Sequence, residues 1–213
     1  DQDSVADKAT VTRLVSTYRQ LRNMGINVGG VGTRAINVET GQPYRSKSKE
    51  YETISVGEGS EATKTTRCSY IRSSISFIPI TLFGEVGGFD ESLFIDGVDN
   101  EWCWRANTIG CQFFIVENAT IIHHLGEGDH KIANRNVAIS STFRIYFQFR
   151  NYLWLCRRNY VPHWWKRTNL LKYAVKMVYY PLFVSPRTAF VKGIFKGILD
   201  GAIKNVKPKY EKI

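Results

Sequence analysis

The stretch Phe94-Ile95-Asp96-Gly97-Val98-Asp99-Asn100-Glu101-Trp102-Cys103-Trp104-Arg105 sets three carboxylates among aromatic rings and one arginine, just after Gly87-Gly88-Phe89-Asp90-Glu91. Acids packed among aromatics are costly to leave unpaired, so such a run serves proton transfer, a cation or a polyol. Working outward, Glu101–Ile109 reads as a helix closed by Gly110, and Ile80–Val86 as a short helix stopped by Gly87-Gly88. Phe113–Val116 and Thr120–His123 read as two short strands. Upstream, Val11, Leu14, Tyr18 and Leu21 recur at helical spacing and predict a helix over Val5–Arg22. Ile26–Val31 reads as a short strand with a glycine turn, residues 39–52 as a polar loop, and Thr66–Phe77 as a strand. Strands alternating with helices give an α/β class. In open α/β sheets the site lies at the carboxyl ends of the strands. That rule predicts Asp3, Asp99 and His123 on one rim.

Two more segments belong with the opening stretch: Asp1-Gln2-Asp3-Ser4, and His123-His124-Leu125-Gly126-Glu127-Gly128. Two acids, a later acid and a later histidine are the parts needed to hold a divalent cation and to deprotonate a hydroxyl. In this order the segments resemble glycosyltransferase family 2, the inverting enzymes with the GT-A fold, and within it the rhamnosyltransferase-like branch. Arg150-Asn151-Tyr152 fits as well, because members carry an Arg-Asn pair there. The resemblance runs over roughly residues 1 to 155. It implies a partial Rossmann-like domain that begins at the Asp-x-Asp motif and lacks the N-terminal nucleotide-binding part. The expected division is a catalytic part over 1–140 and a helical extension over 141–213.

The resemblance also implies roles. A hard cation, Mg2+ or Mn2+, neutralises the diphosphate leaving group of a nucleotide sugar, expected to be dTDP-rhamnose. Asp3 is the first ligand candidate, Asp1 the second, and His123 the third. His124 competes with His123, but the Leu-Gly that follows matches the family's spacing when His123 is the ligand. The competing reading of Asp1 and Asp3 is that they cap the following helix. Asp99 aligns with the second acid of the family's Glu-Asp pair and is the candidate base; Val98 stands where the Glu would be. Trp102 and Phe94 are expected to shield Asp99 from water and raise its pKa. Asp90, Asp96, Glu101 and Trp102 are acceptor-binding candidates, with Arg105 an alternative partner for Asp96 and Glu101 and a turn an alternative role for Asp90. Arg150 is a candidate for the donor diphosphate, or else a basic surface residue.

Charge separates the chain into two parts. Residues 1–139 carry 14 Lys and Arg against 17 Asp and Glu; residues 140–213 carry 15 against 2. The basic part is rich in aromatics, and Leu171, Val175, Val178 and Leu182 form one helical stripe with Lys172 and Lys176 off it. No uninterrupted apolar run reaches the ~18 residues of a spanning helix. Trp154, Trp164, Trp165, Lys172 and Lys176 are therefore expected to seat helices on an anionic membrane surface, the cytoplasmic face of a bacterial plasma membrane. Nucleic acid is the poorer partner, since the chain shows no zinc-finger spacing, RNP-type motif or basic heptad repeat. Cys68, Cys103, Cys111 and Cys156 have no metal-ligand spacing and read as free thiols. Two further readings stay open: a UDP-galactofuranose or other hexosyl transferase acting on a lipid-linked or saccharide acceptor, and a non-catalytic, basic membrane-binding module.

Overall fold

The computed structural model of the chain describes residues 4–6, 8–37, 41–44, 46, 48–57, 59, 62–123, 129–132 and 135–204. Of residues 4, 5, 8, 122, 123, 129–132 and 135–138 only the backbone is described. The chain forms two compact units, one drawn from 1–88 and 102–126, the other from 89–101 and 127–212. This division counts segment 89–101 with the helical extension, whereas the sequence reading kept it in the catalytic part.

The first unit is a mixed six-stranded sheet carrying a helix. Its strands are β1 (Ser4–Ala6), β2 (Val28–Asn37), β3 (Glu50–Val56), β4 (Thr63–Cys68), β5 (Ser76–Phe77) and β6 (Gln112–His123). Helix α1 spans Lys8–Asn23 and α2 spans Leu82–Val86. β6 is central: β2 runs parallel along one edge, while β4 and β1 share the other edge in antiparallel pairing. β3 continues outward from β4, and β5 pairs with β2. Leu14 and Leu21 of α1 pack on Val28, Val31, Phe114 and Val116. Tyr18 completes that face against Phe77 at 5.0 Å. Val11, expected on the same face, is exposed. Arg34 bridges the sheet, pairing with Glu117 at 2.5 Å and Glu50 at 2.6 Å.

Several local expectations shift. The first helix begins at Lys8 rather than Val5, because Ser4–Ala6 pairs with the free edge of β6. Gly29 and Gly30 lie inside β2 and make no turn. A Cβ on Gly29 would meet the Phe113 ring at 2.7 Å, and one on Gly30 would meet Ile71 at 3.0 Å. Glycine there lets large side chains lie on the strand's backbone. The polar stretch 39–52 ends in sheet, since Glu50 already belongs to β3. The strand expected over Thr66–Phe77 is two, β4 and β5, on different parts of the sheet. The two strands expected over Phe113–His123 are one continuous β6, whose pairing with β2 shifts register between Thr33 and Arg34. All four cysteines are free.

Helix α3 (Val98–Asn107) contributes its first turn to the second unit and the rest to the first. The second unit also holds a two-stranded ribbon of β7 (Asp129–Ile132) and β8 (Arg135–Ala138), then helices α4 (Thr142–Cys156), α5 (His163–Phe183) and α6 (Arg187–Ile203). Ser141 caps α4, its hydroxyl accepting from Arg144 N at 3.2 Å. Proline precedes both α5 and α6. Ile145, Phe149, Tyr180, Val184, Phe190 and Ile194 form the core.

Contact between α4 and α6 rests on three glycines four residues apart. A Cβ on Gly193 would lie 2.8 Å from Ile145 Cγ2, on Gly197 2.6 Å from Tyr146 O, and on Gly201 3.1 Å from Arg150 O. The obstacle at Gly197 is backbone, which cannot rotate aside. Gly197→Ala is therefore expected to destabilise by about 1–3 kcal/mol, although alanine is the better helix former by about 1 kcal/mol. Gly84 in α2 is the control, because nothing lies within 4 Å of its added Cβ. Gly84→Ala should be neutral or stabilising, and urea midpoints of the two variants make the comparison.

Candidate active site

In the second unit, the chain before α3 is held by buried charge. Asp90 is 2% exposed and accepts from Ser92 N at 3.0 Å and Ser92 Oγ at 2.6 Å, capping a single 3-10 turn, Glu91–Leu93. Its second oxygen meets the Arg158 guanidinium. Arg158 also lies 3.3 Å from Glu101, and Tyr160 donates to Glu101 Oε1 at 2.5 Å. Arg158 and Glu101 are buried too. Burial alone would lower the Arg158 pKa; Tyr160, Asp90 and Glu101 outweigh it and keep the guanidinium charged, above its ordinary value. One arginine thus ties the start of the segment (Asp90) to the first turn of α3 (Glu101).

Between those anchors the backbone is strained. Phe94 and Asp96 adopt positive φ, 60° and 65°, which L residues rarely occupy. Such conformations persist only where the surroundings over-determine them, and they cluster at functional sites. Here the determinant is Asn151, whose amide donates to the carbonyls of Leu93 (2.8 Å), Ile95 (2.7 Å) and Asp96 (3.0 Å). Arg150 adds bonds to Ser92 O at 2.7 Å and Leu93 O at 3.2 Å, and grips Asn151 Oδ1. Arg144 takes the Asp96 carboxylate bidentately, both distances 2.7 Å. Gly97, at φ 93°, leads into α3 with Leu155 so close that a Cβ would sit 2.9 Å from it. The outcome is a fixed start for α3, with half-buried Asp99 in its first turn, where the helix dipole favours a carboxylate.

In the first unit, Trp102 is fully buried and donates to Gly87 O at 2.8 Å. Arg105 donates to Val86 O and, at 2.8 Å, to Gly88 O, so the two residues pin the Gly87-Gly88 turn. His123 ends β6, its backbone in register with Ser4 of β1 and Asn37 of β2.

The candidates from sequence therefore fare differently. Asp1, Asp3 and His124 lie outside the described residues, as does the His123 side chain. Among the described residues no group of three His, Cys, Asp or Glu side chains forms a cation site. Asp99 sits at a helix start, not at the strand end that motivated a common rim. Asp90 and Glu101 are occupied by Arg158, and Asp96 is held by Arg144 rather than Arg105. Phe94 does not wall off Asp99: it stays exposed and stacks on Phe147 at 5.1 Å. Arg150 is spent on loop carbonyls and lies over the rings of Trp154 (4.1 Å) and Phe147 (4.7 Å). Trp154 and Trp165 are buried, the latter against Tyr152, so neither reaches a surface; Trp164 is half-buried. Lys172 is exposed, and Lys176 donates to Gln148 at 2.5 Å. Arg158 and Tyr160 were missed as site supports, and Asn151 was noted only as part of the Arg-Asn pair, without its role on the loop carbonyls. The signal for Arg158 was the need of two acids near Trp102 and Trp104 for a cation.

Over 111 residues, covering 52% of this chain, the sequence is 38% identical to a dTDP-rhamnosyl transferase, RfbF, of Shigella flexneri. The chain spans 36% of that relative's length. No family model and no solved structure matches the chain.

Proposed function

We propose that the chain is the metal-, acceptor- and base-bearing part of an inverting glycosyltransferase of family 2. It moves rhamnose from dTDP-rhamnose to a lipid-linked or saccharide acceptor of cell-surface polysaccharide, at the cytoplasmic face of a bacterial plasma membrane. The observation that carries the reading is the 38% identity to a dTDP-rhamnosyl transferase. The clamped loop before α3 supports it, because a base must be held within hydrogen-bond reach of its proton.

Asp99 accepts the proton of the acceptor hydroxyl. The hydroxyl oxygen then bonds to the sugar C1 as the C1–O bond to the diphosphate breaks, and the nucleoside diphosphate leaves. The Asp1 and Asp3 carboxylates are hard oxygen donors that fit Mg2+ or Mn2+, and the imidazole of His123, a softer donor, would favour Mn2+ of the two. The register of His123 with Ser4 brings their backbones together. When bound, such a cation neutralises the leaving diphosphate. Asp90 and Glu101 anchor the acceptor loop through Arg158, Asp96 belongs to that loop and is held by Arg144, Trp102 pins the Gly87-Gly88 turn, and Arg150 holds the loop in place of the diphosphate.

The test is dTDP release by the protein that contains this chain, with dTDP-rhamnose and Mg2+ or Mn2+. Metal-dependent release that rises with a saccharide or lipid-linked acceptor is expected. Turnover of UDP-galactofuranose alone moves the donor assignment. No turnover of any nucleotide sugar leaves the non-catalytic basic module.

A further inference from the structure

Helices α5 and α6 bury one face and leave an apolar face bare. On α5, Tyr173, Lys176 and Tyr180 face the packed side, while Leu171, Val175, Val178 and Leu182 fall within about 60° of one another on the opposite side. Leu171 is 70% exposed. Half-buried Trp164 falls on the same line, two turns before Leu171. On α6, Phe190, Ile194, Gly197 and Gly201 are buried, and Val191, Phe195 and Leu199 recur every four residues on the far side. Phe195 is 69% exposed. Two adjacent helices thus present aliphatic and aromatic stripes to solvent, well beyond scattered exposed hydrophobics.

Each stripe is bordered by cations. Arg167 and Lys172 flank the one on α5, and Lys192 and Lys196 the one on α6, all exposed. From His163 to Lys204 there are eight Lys and Arg and one acid, Asp200. That acid is engaged by Tyr146 at 2.7 Å and Lys204 at 3.1 Å. Among the described residues no helix is long and apolar enough to cross a membrane.

We infer that α5 and α6 dock flat on an anionic lipid bilayer, their apolar stripes among the acyl chains and their Lys and Arg borders at the headgroups. The pattern of apolar stripe and cationic border is what an interface-lying helix requires. A second copy of the same face fits poorly, because an isologous pairing sets like charges against each other. Nucleic acid would satisfy the cations but leave aliphatic stripes in water. The inference does not depend on the transferase reading, and its test does not read turnover.

The test is flotation of the full chain with vesicles of phosphatidylcholine alone and of equal parts phosphatidylcholine and phosphatidylglycerol. Binding to the anionic vesicles is expected, weakening as salt rises from about 0.1 M to about 1 M and the Debye length falls from about 10 to about 3 Å. The double variant Val175→Asp, Phe195→Asp should bind about tenfold less or worse, with an unchanged melting profile. Val175→Leu, Phe195→Leu should bind as wild type. If the aspartate variant fails to fold, Lys192→Glu, Lys196→Glu replaces it, and should lose the preference for anionic vesicles. Wild-type indifference to lipid charge, or undiminished binding by the variants, overturns the inference. So does a wild-type dimer in light scattering that becomes monomeric in the aspartate variant, which would assign the face to a second copy.

Discussion

Arg158→Leu is expected to lower stability by about 3–5 kcal/mol, the usual cost of leaving buried charge uncompensated. The leucine fills much of the space but leaves Asp90 and Glu101 without their cation, both almost wholly buried. Tyr160 still donates to Glu101 and Ser92 to Asp90, so each acid keeps a hydrogen bond but loses its ion pair with Arg158. Arg158→Lys should recover only part of the loss, since one ammonium cannot span two carboxylates as a planar guanidinium does. The triple variant Arg158→Leu, Asp90→Asn, Glu101→Gln should regain most of it, because all three charges of the cluster are then gone. Urea midpoints at constant m-value measure all three. A loss under about 1 kcal/mol for Arg158→Leu, the range of exposed pairs, would mean the cluster is wetter than its burial indicates.

Under the proposed transferase function, Asp99→Asn is expected to cut turnover by about 10²–10⁴-fold while donor binding stays unchanged. Asparagine keeps the size and helix-start position of the side chain but accepts no proton from a hydroxyl. The surrounding loop should survive, because the bonds that fix it come from Asn151, Arg150 and Arg144. Steady-state turnover beside dTDP binding by calorimetry separates the two effects. Near-wild-type turnover would move the base to Asp96 or Glu101. Both would have to leave an arginine first, so that result would also imply a rearranged loop.

What the sequence revealed about the fold depended on how local the cause was. Helix α3 and its glycine stop at Gly110 were legible because periodicity and capping are properties of neighbouring residues. The α/β class followed for the same reason. The start of α1 was misplaced because Ser4–Ala6 is a strand only by virtue of β6, over a hundred residues away. The glycines of β2 looked like a turn because the side chains they make room for, Phe113 at Gly29 and Ile71 at Gly30, come from far along the chain. At the site, the acid-rich stretch was visible but its bonding was not. Asn151 and Arg158 act on carbonyls and carboxylates more than fifty residues earlier; the Arg150-Asn151 pair was visible but not its partners, and nothing in its own neighbourhood marks Arg158. The tail's excess of Lys and Arg was countable from the sequence, but two of the tryptophans assigned to its surface were not surface residues: Trp154 and Trp165 lie in the core.

The glycine ridge of α6 has a bearing on where the second unit can work. Helices that meet through large apolar side chains are driven together by water, and that drive fades where lipid is the solvent. Gly193, Gly197 and Gly201 instead bring α6 up to the main chain of α4. Along that ridge cohesion comes from dispersion and close carbonyl contacts, which owe little to the surrounding medium. The glycine ridge therefore adds to the apolar core of Ile145, Phe149, Phe190 and Ile194 a part of the α4–α6 joint that holds in bulk water and at a lipid boundary alike.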